Sequence, residues 1–164
     1  MSRRFNSLNQ PRFLKVGNVE AMVRYDKRIV HFTNDEWILQ QNPLHPSRPQ
    51  IDSWLDAVPS NTLRWQVNTR PSASTLKKAV LRSALQGKWH KLMCRALEQR
   101  GYKPDGRRIG TGEKGLVGTM EILTTKDAGR VLFEPEPRHL ERCLAIVDAL
   151  QREQRQPNPA RRWR

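Results

Sequence analysis

The chain has 164 residues, with 30 Lys and Arg against 16 Asp and Glu, a formal net charge of +14 and a sequence pI near 10.9. This balance is that of proteins held against polyanions, and it speaks of partners and not of fold. No stretch approaches the roughly 20 apolar residues needed to cross a bilayer, which excludes a spanning segment, and the apolar share of 37% with a mean hydropathy of -0.77 is low for a compact enzyme.

Residues 1–17 read as a basic arm, carrying Arg3, Arg4, Arg12 and Lys15 with no acid before Glu20. An acid-poor end with Arg and Ser has the composition of a mitochondrial transit segment and equally of an arm that threads into RNA, and it lacks the apolar core of a secretory signal. Val19 to Phe32 is rich in β-branched and aromatic residues on either side of Tyr25-Asp26-Lys27-Arg28, which predicts a hairpin with a polar turn. Thr33 then predicts the N-cap of a short helix reaching Gln41, with Glu36 as its capping-box partner. The segment 42–50 holds three prolines and reads as an extended connector. A brief helical turn is expected around Trp54 and Leu55. From Thr62 to Pro71, Leu63, Trp65 and Val67 alternate with Arg64, Gln66 and Asn68, the pattern of a strand with one apolar and one polar face.

The stretch from Ser74 to Arg108 carries the charge. Between Arg70 and Arg108 there are eleven basic residues against Glu98 and Asp105, so nine of the fourteen net charges lie there. At the helical angle of about 100° per residue, Lys77, Lys88, Lys91 and Arg95 fall within about 40° of one line. Lys78 and Arg82 flank them. Leu85, Trp89, Leu92, Met93, Ala96 and Leu97 keep the rhythm of a buried helical face. The apolar phase before Gly87 differs, which predicts a kink there or two helices end to end. Ser74 is the expected N-cap, and Gly101 the expected stop.

Residues 101–115, with Lys103, Arg107 and Arg108, predict a flexible basic loop that folds against phosphates. Gly110-Thr111-Gly112 does not make a nucleotide-binding P-loop, because Lys114 is not followed by Ser or Thr. Leu116–Thr125 and Gly129–Pro135 predict two strands of an antiparallel hairpin turning at Lys126–Gly129. Arg138–Arg155 is the clearest helix, with an apolar stripe and mixed surface charge, and reads as a packing helix. The tail 156–164 ends in Arg161, Arg162, Trp163 and Arg164, where a Trp between arginines can stack on an unpaired base while the guanidiniums hold phosphates.

Two chemical constellations deserve weighing. His90 and Cys94, and likewise His139 and Cys143, lie at i, i+4, so two side-by-side helices could offer four N/S ligands to a structural zinc, although the usual zinc-knuckle spacing is absent. Two cysteines make no disulfide framework and suit a reducing compartment. Asp26, His31, Asp35 and Glu36 are the residues from which a basic nuclease could be assembled, with little beyond proximity in their favour.

The expected architecture is one α+β domain over 18–155: a small antiparallel sheet of hairpins with two main helices packed on it, and basic extended tails. The expected function is non-catalytic and cofactor-free: a structural RNA-binding component of a large ribonucleoprotein, foremost a ribosomal protein of the mitochondrial matrix, touching rRNA phosphates and neighbouring proteins. No membrane and no small-molecule substrate enters that expectation. Cytoplasm, nucleus and nucleolus are the alternative locations. A nucleic-acid-processing enzyme or accessory subunit, and a DNA-binding regulator reading a major groove with the central helix, are the alternative functions.

Overall fold

A computed structural model describes residues 13–16, 20–42, 44–110 and 112–156. Most of the basic arm 1–17 and nearly all of the tail 156–164 therefore lie outside the described residues. The elements run β1 (Ala21–Asp26), α1 (Thr33–Gln41), α2 (Arg48–Asp56), β2 (Leu63–Asn68), a 3-10 turn (Arg70–Ser74), α3 (Ala79–Gln99), β3 (Gly118–Thr124), a 3-10 helix (Lys126–Phe133) and α4 (Glu136–Arg155). This is an α+β chain.

The sheet has the order β1-β3-β2, with β1 antiparallel and β2 parallel to the central strand. It is thus mixed, and both expected hairpins give way. Parallel neighbours need a long crossover, which α3 and the loop after it supply between β2 and β3. Beyond Asp26 the chain leaves the sheet plane and crosses one face, where the Val30 amide donates to Thr119 Oγ1 at 2.9 Å. Gly129–Pro135 is not a strand either. In the 3-10 helix that replaces it, Ala128 and Val131 are both buried. That spacing of three brings both to one side of a 3-10 helix and to opposite faces of a strand.

One sheet face builds the apolar core. Val23, Ile122 and Val67 stand abreast in register, as do Tyr25, Met120 and Trp65. Onto them pack the six apolar residues of α3 that the periodicity singles out, together with Cys143, Ile146, Val147 and Leu150 of α4. The helix α3 runs unbroken through Gly87. Its change of apolar phase has another cause: the first two turns project past the core, leaving Val80 and Leu81 exposed. Lys78, not Ser74, sits at the N-cap position, because Ser74 closes the 3-10 turn.

The second face is polar. Arg24, Glu121 and Gln66 are aligned across the three strands. Glu121 is fully buried. Its carboxylate accepts from Thr33 Oγ1, from Gln66 Nε2 at 2.9 Å and from Asn68 Nδ2 at 3.2 Å, while Arg24 Nη1 donates to the Thr33 hydroxyl at 2.7 Å. Thr33 is therefore committed to the sheet and does not cap α1, whose N-cap position is Phe32. The α1 helix buries no residue, so these polar contacts and the ion pair Arg64–Asp35 at 3.6 Å tie it down.

Where α3 meets α4, His139 is fully buried with its ring edge-on to Trp89 at 4.3 Å, and neither ring nitrogen has a hydrogen-bond partner among the described residues. Burial, aided by the charges of Lys88 and Arg142, pushes its pKa down from 6.5 to about 4. The folded chain thus holds a neutral imidazole while the unfolded chain protonates it, so stability is full above about pH 6.5 and falls as the pH drops towards 4. Urea unfolding at pH 5 should show this group costing about 2 kcal/mol relative to pH 7. In His139→Leu the loss of stability between the two pH values should shrink by that amount.

Candidate nucleic-acid interface

The expected stripe along α3 turns inward at its centre. Lys88 Nζ donates to the carbonyl oxygens of Val131 and Glu134, each at 2.6 Å. Lys91 and Arg95 both reach Glu136 at the start of α4, at 3.2 and 2.9 Å. The two cations hold the Glu136 carboxyl below its usual pKa, through their hydrogen bonds first and their charges second. These side chains brace the 3-10 helix and α4 against α3. Lys91 and Arg95 remain 58% and 48% exposed, so a phosphate could still reach them, in competition with Glu136.

Several cations without such partners lie at the two ends of α3, while Arg138 and Arg152 on α4 are likewise exposed with no side-chain partner among the described residues. At the N-terminal end of α3 Lys77 and Lys78 are exposed, their ammonium groups with no hydrogen bond or ion pair among the described residues. Arg82 folds back onto the carbonyls of Leu76 and Lys77 at 2.6 and 2.7 Å. The segments after the parallel strands β2 and β3 meet here. Ser72 Oγ donates to the Thr125 carbonyl at 2.7 Å and Thr75 Oγ1 to that of Lys126 at 2.9 Å. That knot brings exposed Lys126 and Arg130 beside Lys77 and Lys78, with Asp127 as a nearby acid.

At the other end α3 stops as Gly101 predicts. Gly101 has φ +80° and donates to the Glu98 carbonyl at 2.9 Å, while the Tyr102 amide returns to Leu97 at 2.9 Å, the paired bonds of a Schellman cap. Residues 101–110 then form a small, fixed hairpin and not a loose loop. Tyr102 bridges Arg108, and Gly106, at φ +81°, turns the tip. A Cβ on Gly106 would lie 2.6 Å from both the Leu116 carbonyl oxygen and Leu63 Cβ, so only glycine lets the tip dock on the start of β2. Although its partial burial opposes this, Asp105 is held below the usual carboxylate range by hydrogen bonds from the Arg107 amide and guanidinium and by the charges of Arg107 and Lys103. Lys103 is exposed, and its ammonium group makes no hydrogen bond or close ion pair among the described residues.

Beside this hairpin lies an open cavity of about 740 Å³. Lys27, Arg107, Arg108, Lys114 and Arg155 line it against one carboxylate, Glu113. Arg108 is fixed by its guanidinium lying 4.4 Å over the Tyr102 ring and by Nη1 donating to the Arg100 carbonyl at 3.1 Å. Lys27 donates to the Gln156 carbonyl at 2.8 Å, at the C-terminal end of α4. Lys114 and Arg155 are exposed with no partner among the described residues. The floor is made by Tyr25 and Tyr102, whose hydroxyls accept from Gln154 and Gln151 at 3.0 and 2.7 Å. Burial pushes the Tyr25 hydroxyl up to about 12, against the hydrogen bond from Gln154, and it remains a neutral donor to the Val117 carbonyl at 2.7 Å.

Of the residues singled out from the sequence, Arg107 and Arg108 belong to this cavity, Lys77, Lys78 and Arg82 to the other end, and Lys88, Lys91 and Arg95 to internal bracing. Arg3, Arg4, Arg161, Arg162, Trp163 and Arg164 lie outside the described residues. Tyr25, Lys27, Tyr102, Gln151, Gln154 and Arg155 carried no signal beyond the i, i+3 spacing of the two glutamines, and the last turn of α4 is more than packing. The two His/Cys pairs are not gathered: His139 and Cys143 are buried, while His90 is exposed and stacks on Trp65 at 4.8 Å. No group of three or more His, Cys, Asp or Glu among the described residues is placed to hold a metal. Three residues of the nuclease alternative are engaged separately, Asp26 with Arg28 at 2.8 Å, Asp35 with Arg64 at 3.6 Å, and His31 with Asp52 at 3.5 Å.

The bracing role of Lys88 can be measured. Lys88→Ala leaves two part-buried carbonyls without their charged donor and should lower unfolding free energy by about 2–3 kcal/mol. Lys91→Ala, which removes one of two cations from an exposed carboxylate, should leave the urea midpoint almost where it was.

No protein-family model matches the chain, and no curated protein or solved structure does so either, so its own geometry must carry the functional reading.

Proposed function

We propose that the chain is a non-catalytic RNA-binding component of a large ribonucleoprotein, of the ribosomal kind, held in place by phosphate contacts at both ends of α3. The observation that carries this reading is the placement of the unpartnered cations. Lys77, Lys78, Lys126 and Arg130 at one end and Lys103, Lys114 and Arg155 at the other are separated by the length of a 21-residue helix, about 30 Å at 1.5 Å per residue. Two cationic groups so far apart suit a polyanion that runs between them, and no single small ion spans them. Phosphate contacts of this kind fix position and affinity, and leave base sequence unread. A mitochondrial location is part of the same proposal and rests on the composition of residues 1–17.

Sedimentation of a cell extract through a sucrose gradient tests the assignment. The chain should travel with a ribosomal subunit or comparable particle through moderate salt, and a light, free position would overturn the reading. With purified protein and single-stranded RNA, each phosphate contact removed should flatten the plot of log K against log salt by about 0.7. Changing Lys77, Lys78, Lys114 and Arg155 together to Ala should therefore reduce the slope by about 3.

A further inference from the structure

The cavity beside the 101–110 hairpin has features that phosphate neutralisation alone does not require. A flat basic surface suffices to hold an RNA backbone, yet here five cations face one acid around a hollow of about 740 Å³, within the range of roughly 300–1,000 Å³ that encloses small-molecule ligands. Arg108 is the most fixed of these cations, clamped on Tyr102 and on the Arg100 carbonyl. Its Nε is sealed from solvent and has no hydrogen-bond partner among the described residues, the nearest carboxylate oxygen, from Glu113, standing 3.7 Å away. The only carboxylate paired with this fixed guanidinium among the described residues is that of Glu113, long at 3.7 Å and on a side chain 70% exposed, so a phosphate entering the cavity can take its place.

The floor asks for more than an anion. Gln154 Nε2 donates to the Val117 carbonyl at 2.9 Å, which fixes the orientation of its amide and leaves Oε1 as an acceptor. Tyr102 accepts from Gln151, so its own O–H remains a donor. One acceptor and one donor beside apolar Leu116, below a cationic rim, match a ligand that carries a phosphate on one side and a body of amino and hydroxyl groups on the other. We infer that the cavity binds one nucleoside monophosphate unit, phosphate at Arg108, Lys114 and Arg155, nucleoside against the Tyr102 hydroxyl and the Gln154 amide. The unit can come from a free nucleotide or from a nucleotide of an RNA strand. The inference extends the RNA-binding proposal but does not need the cations at the other end of α3.

Calorimetric titration of the full chain with AMP and with GMP tests it, followed by the same titration in the presence of a bound, labelled 12-nucleotide RNA. A 1:1 complex, weakened on the order of tenfold in Arg155→Gln and in Arg108→Gln, is the expected result. Arg155 is exposed and makes no described contact, so its replacement keeps the test valid if Arg108→Gln misfolds. Displacement of the RNA by nucleotide assigns the cavity to a nucleotide of the strand, and undisturbed RNA assigns it to free nucleotide; both sustain the inference. No binding of either nucleotide at millimolar concentration overturns it, even if RNA still binds through Lys77, Lys78, Lys126 and Arg130. Inorganic phosphate competing as well as AMP would overturn the nucleoside part. Nucleotide binding by a chain that fails to bind RNA would sink the ribonucleoprotein reading and leave this one standing.

Discussion

A strand with neighbours on both edges and layers on both faces must bury whatever it carries, and β3 carries Glu121. A carboxyl group taken from water without hydrogen-bond partners is costly in either protonation state, so the surroundings of Glu121 are obliged to be polar. Gln66 and Asn68 come from the parallel neighbour and Thr33 from the first turn of α1, with Arg24 behind Thr33. This requirement makes one face of the sheet polar and fixes the position of a helix that buries nothing of its own. The apolar core is then confined to the other face, where α3 and α4 supply it.

With the core on one side only, the charge on α3 is sorted by the same packing. The helix must be held to α4 and to the 3-10 helix, and its central cations are the side chains within reach. Lys88 brings a charged donor to the carbonyls of Val131 and Glu134 at the end of the 3-10 helix, and Lys91 with Arg95 meet the carboxylate on the first turn of α4, where an acid also favours the helix dipole. Lys77, Lys78, Lys103, Lys114 and Arg155, which take no part in that bracing, lie towards the two ends of α3. The distribution of free charge is thus a by-product of how two helices are joined.

Much of the secondary structure was legible in the residues. The alternation in Leu63–Val67, the buried face of α3, the Gly101 stop and the stripe of α4 each express a single local periodicity or cap, and these hold. Legibility failed where a distant residue decides. Thr33 looks like an N-cap until the buried Glu121, 88 residues away, claims its hydroxyl. Gly129–Pro135 looks like a strand because Val, Leu and Phe are adjacent, whereas the core takes Ala128 and Val131, three apart, and leaves Phe133 exposed. Strand direction had no local signature, since each expected hairpin paired neighbouring segments of the chain whereas β1 and β2 both pair with the distant β3. For the interface, composition pointed to cations on α3 but could not say which of them Glu136 would engage. The cavity was invisible for a similar reason, its floor being two tyrosines and two glutamines that mean nothing until α4 closes over them.

The walls of that cavity come from five places in the chain, represented by Tyr25, Asn61, Tyr102, Lys114 and Gln154. Such a site has no fragment-sized precursor: its loops close only after nearly the whole polypeptide has assembled, a feature of high contact order. Occupancy is therefore thermodynamically linked to complete folding, with every tenfold rise of free ligand above its dissociation constant adding about 1.4 kcal/mol to the native state alone. A partner that engages this hollow inspects the finished fold, and truncated or half-assembled copies would be passed over during assembly of a larger particle.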